Sequence, residues 1–133
     1  MAQTTTISTK ELQRLAVEAY EGKTLKVMLC SVGSSGFTAE STVANWQTVE
    51  QSGSGYVRFS ATIATGSYDT GTGRYILPTI NASFTATSAY SYDRVILFID
   101  GETNIHSEIQ ESPNIALSAG QTQTYQLSLI TDD

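Results

Sequence analysis

The chain has 133 residues, 40% of them hydrophobic and only 15% charged, with a formal net charge of −6. That length suits one domain with a real core, and the acidic balance, with seven scattered Lys and Arg, disfavours nucleic acid and anionic membrane surfaces as partners. The single cysteine, Cys30, excludes an internal disulfide, and no Cys/His group has metal-ligand spacing, so no metal or other cofactor is expected.

The start of the chain, MAQTTTISTKELQ, has neither the charged start nor the apolar run of a signal peptide, and no run reaches the length of a membrane span. Synthesis as a soluble cytoplasmic chain is expected. Residues 1–8 read as a polar arm and residues 9–133 as one domain. Ser8 to Glu11 spell a capping box, and Leu12, Leu15, Ala16 and Ala19 follow at helical spacing, with Gly22 placed as a C-terminal cap. A short amphipathic helix docked by that stripe is predicted.

From Thr24 the period changes to two, and TLKVMLC reads as a first strand with Cys30 on a sheet face. SVGSSGF is a loop. Thr38 is positioned to cap a second short helix, AESTVANWQTVEQ, with Val43, Trp46 and Val49 on one side. Beyond SGSGY the pattern is β to the end: YVRFSATIA, a flexible GSYDTGTG turn region, RYIL, INASFTATS, RVILFI with apolar residues on both faces, NIHSEIQ, a break at ESPN, and TQTYQLSLI. The predicted fold is mainly β, an antiparallel sandwich of about seven strands with a short N-terminal helix and a second short helix.

Candidate chemistry is sparse. Asp100, Gly101 and Glu102 follow the RVILFI strand, and Asp-Gly between two strand patterns is a hairpin signal that accounts for all three residues without catalysis. His106 beside Ser107 and Glu108 invites a triad reading. Neighbours in an extended strand point to opposite faces, however, which argues against a hydrogen bond between His106 and Ser107. The SGSGY run at residues 52–56 lacks a P-loop Lys and leads into a strand. Asp69 alone lacks the partners of a calcium loop. Asn81-Ala82-Ser83 matches a glycosylation triplet that has no secretory signal beside it.

Seven tyrosines are more informative, with Tyr68, Tyr75, Tyr90 and Tyr92 at loops or strand ends, where amphipathic rings suit protein interfaces and sugar platforms. By residue type and loop position, Trp46, Tyr68, Tyr90, Tyr92 and the arm residues Thr4, Thr5 and Thr6 are the expected contact residues.

Taken in order, residues 9–21, LKVMLC at 25–30, the segment 38–51, the GSGY turn at 53–57, the YDRVILFID strand and its turn at 92–101 and the terminal run HSEIQESPNIALSAGQTQTYQLSL are similar to the layout of small structural virion proteins of tailed bacteriophages. The resemblance implies a noncatalytic building block of the virion: a capsid decoration or cement protein, or else a tail, baseplate or fibre component. It implies the major capsid protein or other virion proteins as partners, and a homo-oligomeric state. It transfers no active-site residue. A carbohydrate-binding β-sandwich module is the alternative from another class, suggested by the Tyr-rich loops and the Gly-rich segment 66–73.

Overall fold

A computed structural model describes residues 14, 15, 17–52, 55–69, 71 and 74–129, without the side chains of residues 68, 69 and 74. The polar arm with Thr4, Thr5 and Thr6, and the capping box at Ser8 to Glu11, lie outside the described residues. The described chain is mainly β. Eight strands, β1 (Thr24–Cys30), β2 (Phe59–Thr62), β3 (Ser67–Asp69), β4 (Arg74–Ile76), β5 (Ile80–Thr85), β6 (Tyr90–Ile99), β7 (Ser107–Leu117) and β8 (Thr122–Leu127), accompany two short helical stretches. All pairings are antiparallel, in a four-stranded sheet ordered β2-β1-β6-β7 and two ribbons, β3-β4 and β5-β8.

The central pair explains the arrangement. β1 and β6 carry apolar residues at both parities, so both faces of the sheet must be covered. Leu25, Val27 and Leu29 of β1 join Val95, Leu97 and Ile99 of β6 on one face. There Ala82 and Phe84 of β5 and Leu127 of β8 close over them as the second layer of a sandwich. On the other face Met28, Cys30, Ile96 and Phe98 pack under the helix Val43–Gln47, whose Val43 and Trp46 are buried.

That second helix is shorter than predicted, and its cap is Thr42 instead of Thr38. The Thr42 hydroxyl accepts from Asn45 N–H at 3.2 Å while the Asn45 carboxamide accepts from Thr42 N–H at 3.1 Å, closing a reciprocal capping box with Asn in place of Glu or Gln. The Thr38 carbonyl instead accepts the Trp46 indole N–H at 3.1 Å. Residues 49–51 leave the helix to pair with β1: Ser31 N–H donates to the Val49 carbonyl and Gln51 N–H to the Leu29 carbonyl.

The N-terminal helical stretch, seen at residues 14–15 and 17–19, ends at Gly22, whose φ of 76° is the left-handed conformation that a C-terminal cap requires. Its predicted docking stripe is corrected in the described part: Leu15 is 46% exposed and Ala19 is exposed. Anchorage comes later, from Tyr20 packed on the core and from the Glu21 carboxylate, which accepts the Gly66 N–H at 2.7 Å and the Tyr75 hydroxyl.

Three further expectations change. GSYDTGTG is in part a strand, β3, which pairs with β4 as a hairpin. The Asp-Gly signal does turn the chain, with Gly101 at φ 91° and Glu102 N–H donating to the Ile99 carbonyl, but the connection runs from residue 100 to 106. The ESPN segment is no break between strands. It lies inside β7.

Candidate functional site

The break in regularity between β6 and β7 builds a concavity in the described surface. Tyr92 pairs with Ile115 and Arg94 with Gln110, so one residue, Asp93, lies between the pairs on β6, and four, Glu111 to Asn114, lie between them on β7. The excess chain on β7 cannot stay in the ladder and swells outward. Bulges of this kind re-aim side chains and recur beside functional sites. On β6 the irregularity also shifts the phase: Tyr92 faces the main core, whereas Ile96, an even number of residues further on, faces the helix.

The resulting cleft, of about 480 Å³, is floored by Asp93, Arg94 and Gln110 and walled by the β7 bulge, with Ser31 and Gly33 at its rim. Its charged groups are held. The Asp93 carboxylate accepts Val32 N–H at 2.9 Å, and Arg94 donates to the Asp93 carbonyl at 3.0 Å. The guanidinium lies between two acids, 3.5 Å from Asp93 and 3.7 Å from Glu108, and Gln110 donates to Glu108 at 3.2 Å. The Arg94 Nε and one Glu108 oxygen are buried without a hydrogen bond, so the pair is attractive yet slack.

A second polar group closes the opposite edge of the sheet, where β1 extends past β2. Glu50 accepts the Tyr56 hydroxyl at 2.5 Å and two N–H groups of Arg58, one of them at 2.9 Å, while the Tyr56 oxygen accepts Leu29 N–H at 3.1 Å. Arg58 also lies over the Phe98 ring, 5.6 Å from its centroid. Burial, and then the bond to Glu50, push the Tyr56 phenol well above its ordinary range. Burial, then the Glu50 charge, push the Cys30 thiol up from 9.0 to about 12.

Because the folded protein favours the neutral thiol, Cys30 contributes stability in full below pH 9 that is lost as pH rises through about 12, and Tyr56 acts in the same sense at still higher pH. Stability is therefore expected to fall on the alkaline side, starting near pH 9, and Cys30→Ala to flatten the first part of that fall. Urea midpoints between pH 8 and 11 check this. Thiol reagents should label Cys30 only after unfolding, since the group is fully buried with its S–H toward the Trp46 carbonyl.

His106 requires a correction. It precedes β7, so the alternation that separates strand neighbours does not reach it. Its Nδ1 lies 2.9 Å from the Ser107 hydroxyl and its Nε2 2.9 Å from the Leu129 carbonyl. A carbonyl only accepts, so Nε2 carries a proton and donates to the Leu129 carbonyl, and Nδ1 pairs with the Ser107 hydroxyl, which can serve as donor or acceptor. With Tyr20 edge-on at 5.6 Å, His106 ties the β6–β7 connection to the end of the N-terminal helical stretch and to the chain after β8. A hollow of about 230 Å³ beside it is bordered by Lys23 and Glu102. Among the described residues no group of three or more His, Cys, Asp or Glu could hold a metal ion, and no helix is long and apolar enough to cross a membrane.

The contact residues expected from sequence are placed differently from one another. Trp46 is 0% and Tyr92 1% exposed, so both rings belong to the core and offer no surface to a partner in this fold. The Tyr92 hydroxyl meets that of Tyr125 at 2.8 Å. Tyr90 is half-buried against Tyr56 and Tyr92, its hydroxyl buried. Tyr68 sits in β3 opposite Tyr75, and its side chain is outside those described. The tyrosines Tyr56, Tyr90, Tyr92 and Tyr125 thus converge as packing between the layers. Neither the cleft nor its residues were singled out by sequence; Pro113 within a strand-like run is the one signal pointing there.

Comparison with protein-family models, with curated proteins and with solved structures finds no match.

Proposed function

We propose that this chain is a noncatalytic structural protein of a tailed-bacteriophage virion, a capsid decoration protein that docks on the capsid lattice. The observation that carries the reading is the outer face of the β5–β8 ribbon. Asn81, Ser83 and Thr85 stand opposite Gln126, Thr124 and Thr122, all six are exposed, and none is charged. In a chain of net charge −6 this face holds no ion that docking must desolvate. Its hydroxyls are already ordered, with Ser83 and Thr124 at 2.9 Å and Thr85 and Thr122 at 2.7 Å. Short and β-branched side chains lose little rotamer freedom on docking. The resemblance of the sequence layout to small virion proteins is what points to the class of partner, the major capsid protein. A tail, baseplate or fibre position would use the same face on a different ring of subunits.

Thr124→Lys and Ser83→Lys place a long charged chain on that face. Each is expected to weaken co-sedimentation with capsids assembled without this protein by at least about tenfold, while changing unfolding stability by less than about 1 kcal/mol. Undiminished co-sedimentation of both variants would exclude the ribbon as the docking face.

A further inference from the structure

We infer that the cleft between the β6 and β7 bulges binds a neutral polyhydroxyl ligand, a mono- or disaccharide unit. Its volume, about 480 Å³, lies in the range of small-molecule sites. The ligand class follows from what the lining can satisfy. An anion would face Asp93 and Glu111 as well as the charge of the whole chain. A cation would meet the Arg94 guanidinium. Pro113 is the one apolar side chain of the lining, so a wholly apolar group would leave the charged and amide groups around it unpaired.

A sugar hydroxyl both donates and accepts. It can give its proton to the Asp93 or Glu111 carboxylate and receive one from Arg94 or from the Asn114 carboxamide, so adjacent hydroxyls on one ring satisfy acids and donors together without bringing a charge. The floor is also ordered in advance. Val32 N–H fixes Asp93, and the Asp93 carbonyl, accepting from the guanidinium at 3.0 Å, holds Arg94, which lowers the entropy lost on binding. The absence of an aromatic wall from this lining predicts weak, millimolar-range affinity carried by hydrogen bonds. The inference is independent of capsid docking, which uses another face.

The test is a titration of the ¹⁵N-labelled full chain followed by amide NMR, with the methyl glycosides of glucose, galactose, mannose and N-acetylglucosamine as probes, and with methylammonium and phosphate for comparison. At least one glycoside should give saturable shifts confined to residues 31–33, 93–94 and 110–114. Asn114→Ala and Glu111→Ala, both on the bulge and outside the core, should each weaken that binding about tenfold and leave the rest of the spectrum in place. Shifts from no glycoside, shifts that survive both substitutions, or saturable binding of methylammonium or phosphate alone would overturn the inference.

Discussion

Replacing Trp46 with alanine is expected to cost about 3–5 kcal/mol, the loss typical of a large buried aromatic ring. The ring is fully buried between the helix Val43–Gln47 and the sheet residues Met28, Cys30, Ile96 and Phe98. It lies edge-on to Phe37 at 5.6 Å and donates its indole N–H to the Thr38 carbonyl. A helix of five residues has no stability of its own, so removing its anchor also uncovers that face of the sheet. Trp46→Phe keeps most of the volume and forfeits the N–H bond, and is expected to cost about 1–2 kcal/mol. Urea unfolding of the three proteins measures both. A Trp46→Ala loss below about 1 kcal/mol would mean that the helix is held by something other than this ring.

Glu50→Ala should destabilise by about 2–3 kcal/mol. The carboxylate is 12% exposed and gathers the Tyr56 hydroxyl and two Arg58 N–H groups, so its removal leaves a cation and a phenol that the fold had partnered. The loss stays below the 3–5 kcal/mol typical of breaking a fully buried pair, because Arg58 is 32% exposed and can turn toward water. Tyr56 keeps its bond from Leu29 N–H, which limits the damage to the β1 edge. A double-mutant cycle with Arg58→Ala isolates the pair. A coupling within about 0.3 kcal/mol of zero would show that the bidentate contact contributes nothing.

Much of the fold was legible where local pattern and tertiary role coincide. TLKVMLC is β1 to the residue: Leu25, Val27 and Leu29 alternate onto the main core, while Met28 and Cys30, at the other parity, are buried under the helix, so the last four residues are all buried. The apolar run RVILFI reads correctly as a strand with apolar residues on both faces, yet β6 begins earlier, at Tyr90, because its first residues pair with the far half of β7. β3 was hidden by the turn-forming residues around it. Its three partners on β4, and the Glu21 bonds to Gly66 and Tyr75 beside it, are tertiary facts.

The site was less legible, for a reason that Tyr92 makes plain. Residue type placed it at a rim, and a strict period of two would put it on the face of Ile96. The irregularity at Asp93 turns it into the main core, and no local signal announces a bulge on β6. On β7, Pro113 does announce one, but ESPN reads equally well as a loop until the flanking halves are seen to pair with the same strand. His106 shows the reverse error: the alternation argument was sound for a strand, and the residue is not in one.

The most direct test of capsid docking is the light-scattering mass of capsids assembled without this protein, before and after addition of the purified chain. The account predicts a mass gain that saturates at a fixed ratio to the major capsid protein, as a repeated lattice site requires. Capsids whose mass is unchanged at saturating protein would contradict it.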